Sequence, residues 1–92
     1  MTFTDEMLDI ILVQGAVDEA ITLGLIGGNR RLAPIGFKKY ESIRDTRVID
    51  GEKIAECLGA LGIILDNGTE ENAVLIVQAI LDGRALEYIN AQ

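Results

Sequence analysis

The chain alternates between long apolar periodic stretches and short polar or glycine-rich breaks. From residue 4 to about 24, Ile10, Val13, Val17, Ala20 and Ile21 recur at helical spacing and predict one wide apolar face. Gln14, Asp18 and Thr22 fall opposite, on a face expected to be solvated. Thr4 is placed to cap this helix, with Asp5 and Glu6 in the first turn against the positive end of the dipole. Gly24, Gly27 and Gly28 are placed to end it.

Residues 27–50 are the irregular middle. Gly27-Gly28-Asn29 signals a turn, and Pro34 is expected to break any helix that reaches it. A short helix from Gly36 to about Arg44 carries Phe37, Tyr40 and Ile43 on its apolar side. Thr46 to Ile49 has extended character. Asp50 caps a further helix over about Glu52 to Leu65, with Ile54, Cys57, Leu58, Leu61, Ile64 and Leu65 as its stripe. Gly59 and Gly62 inside that stripe imply a close helix–helix approach or an earlier stop. Asp66-Asn67-Gly68 is a turn, and Thr69 caps the next helix. From Ala73 to Leu81 only Gln78 is polar, so this helix belongs in a core or at a subunit interface. Asp82-Gly83 breaks it, and Arg84 to Ala91 forms a short last helix. The pattern predicts an all-α fold: a single domain over 1–92, a compact bundle of four to five short helices with an irregular basic middle segment.

Composition narrows the chemistry. The 92 residues contain no His and one Cys, which removes His-based triads, imidazole-bound zinc and internal disulfides. No metal site or cofactor is expected, and the chain reads as a non-enzyme. Asp9, Gln14, Asp18, Glu19 and Thr22 interrupt the apolar stretch from Met7 to Ile26, so no membrane span is expected. A lone Cys and an amino terminus without a positive leader region imply a cytoplasmic protein. Cys57, on an apolar stripe, reads as a buried and inert thiol.

The net charge of −7 hides a segregation. Residues 1–29 carry five acids and no base, residues 30–47 six bases and two acids, and residues 48–92 two bases and eight acids. The middle is therefore +4 between flanks of −5 and −6. Arg30, Arg31, Lys38, Lys39, Arg44 and Arg47 are the candidate binding residues, for a protein partner or for nucleic acid. The acids Asp5, Glu6, Asp9, Asp18 and Glu19 are expected on a solvated helix face.

Within the basic segment, Leu32, Ile35, Gly36, Lys38 and Ile43 fall at positions of a known pattern. Residues 32–43 resemble the hairpin of the helix-hairpin-helix DNA-binding motif. The resemblance implies backbone N–H groups near Gly36 holding a DNA phosphate, with Lys38 adding charge. Pro34 and Tyr40 stand where that motif has a first glycine and a small residue.

Other look-alikes are weaker. Residues 54–59 resemble the first helix of a helix-turn-helix, but residues 66–82 contain no Lys or Arg for a recognition helix. Residues 66–71 lack EF-hand spacing, and residues 24–28 lack the dinucleotide fingerprint. Size and acidity are similar to those of acyl carrier proteins, but Glu41-Ser42-Ile43 runs into Arg44 and Arg47 instead of an acidic helix. The function expected is protein–protein interaction, as an adaptor, inhibitor or assembly factor that associates with itself or another protein. The alternative is nucleic-acid binding through residues 30–47.

Overall fold

The computed structural model describes residues 2–27, 32–62 and 70–90. The described residues form five helices: α1 (Asp5–Thr22), α2 (Pro34–Ile43), α3 (Gly51–Leu61), α4 (Glu70–Leu81) and α5 (Ala85–Asn90). No strand occurs among the described residues, so the fold is all-α. Arg30, Arg31, Gly28 and Asn29 of the expected turn, the stretch 63–69 with Ile64, Leu65 and the expected cap Thr69, and Ala91 lie outside the described residues.

The helix starts follow from local chemistry. The Thr4 hydroxyl accepts from the Met7 N–H at 3.2 Å, and the Asp50 carboxylate accepts from the Lys53 N–H at 2.9 Å. Each satisfies one of the amide groups that a first turn leaves without a helical partner. Pro34 does not break a helix; it begins one, at the first position of α2. There its missing N–H costs nothing and its fixed φ is already helical. Gly62 closes α3 with φ +62°, so the glycines of that stripe mark an earlier stop and not a close approach. Gly59 is exposed, with no described residue close to where its side chain would be. Thr46–Ile49 forms no strand: a turn after α2 leads into a short loop.

α1 is the hub, packing against α2, α3 and α4. α3 also packs on α4, while α5 touches α4 alone. The core joins Leu12, Val13, Ala16 and Val17 of α1 to Tyr40, Ile54, Leu58, Val77 and Ile80, all buried. The Cα radius of gyration, 12.2 Å, matches the roughly 12 Å of a packed chain of this length. The apolar α4 does sit in this core through Ala73, Val77 and Ile80, although Leu75 remains 54% exposed.

The close helix approach lies between α1 and α2. Gly15 leaves room for the Tyr40 ring, which occupies the space a Cβ at position 15 would need. Tyr40 is fully buried and its ring meets that of Phe37 at a centroid distance of 5.3 Å. The large residue at position 40 is thus accommodated by a glycine on the facing helix.

Candidate interaction surface

A helix covered on three sides has little solvated face, and the acids of α1 show it. Asp9 is 8% exposed and Asp18 is 1% exposed. The expectation of a solvated acidic face therefore fails for these two, because α2, α3 and α4 together surround the helix. A buried carboxylate needs hydrogen-bond donors or a counter-charge. The Leu32 N–H donates to Asp18 Oδ2 at 2.9 Å, tying the segment just before α2 to the C-terminal part of α1. Arg47 Nε donates to Asp9 Oδ1 at 2.8 Å, and its Nη2 donates to the Asp5 carbonyl at 2.9 Å.

Arg44 makes the matching contact one helical turn beyond Tyr40. Its Nη1 donates to Glu19 Oε1 at 2.6 Å, its Nη2 reaches the Ile80 carbonyl at 3.3 Å, and its guanidinium lies 5.4 Å from the Tyr40 ring centre. One side chain therefore bridges α1, α2 and α4. The Tyr40 hydroxyl is buried without a well-formed hydrogen bond. Burial holds its pKa far above the ordinary phenol range, and the neighbouring Glu19 carboxylate pushes the same way against the opposing field of Arg44. The two carboxylate partnerships raise the already high pKa of Arg47, its hydrogen bond with Asp9 foremost.

The basic residues do not share one environment. Arg44 and Arg47 point into ion pairs with α1. Lys39 is half-buried, with its ammonium 5.0 Å from the Phe3 ring centre. Lys38 is exposed and makes no hydrogen bond or ion pair among the described residues. Gly36, in the first turn of α2, lies under the end of the Leu32 side chain. Ile35 beside it is 81% exposed. Pro34 to Ile43 is one unbroken helix, and no side chain caps its first turn. The Ser42 hydroxyl donates to the Lys39 carbonyl at 2.7 Å. Cys57 is a buried free thiol whose pKa is pushed up, first by burial and then by the field of Asp9.

The surface feature that sequence reasoning missed is Val48. It is 91% exposed and forms part of the wall of two neighbouring grooves, of about 310 and about 200 Å³. The charged lining of the first groove is Asp9, Asp50, Glu52 and Glu56 with Arg47 and Lys53, and that of the second is Asp45 and Asp82 with Arg44 and Arg47. The signal was the pair Val48-Ile49 in a stretch too short to be helical. Where a loop crosses a core edge with side chains alternating, one of two adjacent branched residues must face outward. Ile49 is buried, so Val48 faces water.

Among the described residues, no group of His, Cys, Asp and Glu is placed to hold a metal ion, and no helix is long and apolar enough to cross a membrane. No protein-family model, curated protein or solved structure matches the chain.

Proposed function

We propose that this chain is a small protein–protein interaction module of the reducing cytoplasm, acting by binding and not by catalysis, and that it associates with itself. The observation that carries the reading is Val48. Scattered exposed apolar residues are ordinary on any surface. Val48 differs because it stands almost fully exposed between two concave surfaces rimmed by charged side chains. Polar rims around an apolar centre are the usual anatomy of a protein contact.

The charge layout supports the same reading over nucleic acid. Arg44 and Arg47 are held by Glu19, Asp9 and Asp5, so a phosphate backbone competes with partners already in place. The module then works as an adaptor, inhibitor or assembly factor. The measurement is solution mass by sedimentation from about 10 μM to about 1 mM. Mass rising with concentration above 10.0 kDa is expected; a constant 10.0 kDa overturns self-association. Tight, salt-sensitive binding to duplex or single-stranded nucleic acid would instead favour the basic-segment alternative.

A further inference from the structure

Two exposed apolar side chains stand at opposite ends of α2. Ile35 lies in its first turn and Val48 five residues past its last. The helix between them is 10 residues long, about 15 Å at 1.5 Å per residue. Their charged surroundings differ in sign. One turn along from Ile35, on the same helix face, is Lys38, exposed and unpaired among the described residues. Lys39, at i+4 from Ile35, is half-buried and taken up over the Phe3 ring, and exposed Glu41 is the nearest acid in sequence. Around Val48 the balance reverses. Asp45, Asp50 and Glu52 are all exposed and form no ion pair among the described residues, and Asp50 already caps α3. The bases beside them are engaged: Arg44 with Glu19, Arg47 with Asp9 and Asp5, Lys53 with Glu56.

From this complementarity we infer that the occupant of the Val48 surface is a second copy of this chain, presenting the Ile35–Lys38 face of its α2. Ile35 of one copy packs over Val48 of the next, and Lys38 meets the unpaired acids Asp45 and Glu52. The inference rests on the self-association proposed above and deepens it by naming the two surfaces. Because the two patches are different parts of one molecule, the contact is head-to-tail. Such a contact leaves one patch free at each end and continues past a dimer unless the rotation closes a ring. Opposite charges at the rim make the association salt-sensitive.

The test uses two full-length variants, Val48→Asp and Ile35→Asp. Both positions are exposed, and an acid in the first turn of α2 suits the helix dipole, so both fold; circular dichroism matching the parent checks this. Each variant alone is expected to be at least about tenfold weaker in self-association. Mixed together they are expected to recover a 1:1 complex of twice 10.0 kDa that grows no further, because each supplies the patch the other has lost. Lys38→Glu weakens association, and Glu52→Lys restores it in the mixture of the two. Parent association should weaken between about 50 and about 500 mM salt. If the parent associates but either Asp variant does so equally well, or the mixture stays monomeric, this assignment of surfaces is overturned while self-association stands. A parent that stays monomeric overturns both.

Discussion

Gly15 and Tyr40 occupy one space between them. The tyrosine ring fills the volume of the side chain that position 15 lacks, and this lets α2 lie close against α1. A methyl group added at Gly15 meets the ring itself, which is rigid and enclosed on its other sides. Gly15→Ala is therefore expected to destabilise the fold by about 1–3 kcal/mol despite the better helix propensity of alanine. Urea unfolding of Gly15→Ala, alone and with Tyr40→Leu, measures it. The double variant should show less than the summed cost, because the smaller side chain removes the obstacle. Equal stability of parent and Gly15→Ala would refute the close approach.

Tyr40 also makes stability depend on alkaline pH. Its hydroxyl is protonated in the folded chain well above the usual phenol pKa, whereas in the unfolded chain it ionises near 10. Above pH 10 the unfolded chain loses this proton while the folded chain keeps it. Stability is thus fully present below pH 10 and falls above it, by up to about 1.4 kcal/mol per pH unit from this group. Tyr40→Phe removes that slope. At neutral pH it also removes a buried hydroxyl without a well-formed hydrogen bond, and is expected to leave stability unchanged or raise it by about 1 kcal/mol. Denaturant titrations of both proteins from pH 7 to 11 check the sign; parallel curves would exclude Tyr40 as the source.

Arg47 is expected to matter more for folding than its place in a loop suggests. Arg47→Ala leaves the Asp9 carboxylate, 8% exposed, without its cation and opens the contact with the Asp5 carbonyl. The expected loss is about 2–3 kcal/mol. Arg47→Lys should recover less than half of it, since a single ammonium cannot reproduce the guanidinium's separate contacts with Asp9 and Asp5. Asp9→Asn combined with Arg47→Ala should cost less than the two single changes added, in a double-mutant cycle.

Asp18 holds the approach to α2. Asp18→Ala leaves the Leu32 N–H without its acceptor, with an expected loss of about 1–3 kcal/mol. Hydrogen exchange at the Leu32 amide should speed up strongly, while the amides in the middle of α3 change only in proportion to global stability. Asp18→Asn retains an acceptor oxygen and should protect Leu32 better than alanine does.

The helices were legible where local signals stand alone. Thr4 and Asp50 named their caps because a hydroxyl or carboxylate three residues before an orphan amide is a local arrangement. The buried stripe of α3 followed from the spacing of Ile54, Cys57 and Leu58. What stayed hidden depends on partners distant in sequence. Asp18 looks like a polar-face residue until Leu32 is seen to bond to it, and Arg47 looks like a free base until Asp9, 38 residues away, is found beside it. The charge segregation was visible, but its largest use is internal: part of the basic middle neutralises the acidic first helix. A hint lay in α1 itself. Leu8, Ile11, Leu12, Val13, Ala16 and Val17 leave little polar surface along the middle of the helix, so Asp9 and Asp18 had to be enclosed with company.

The central position of α1 has a consequence during synthesis. α1 leaves the ribosome before α2, α3 and α4, the helices that cover it, and the last of these ends at Leu81. α1 therefore emerges long before its full cover exists, with Leu12, Val13 and Val17 facing water and Asp9 and Asp18 lacking the donors that later enclose them. Hydrated carboxylates within an exposed apolar run generally oppose aggregation, and Asp9 and Asp18 stand in that position on α1 until its cover forms. The acids that the finished fold encloses thus sit where an exposed apolar helix has most use for charge before the fold exists.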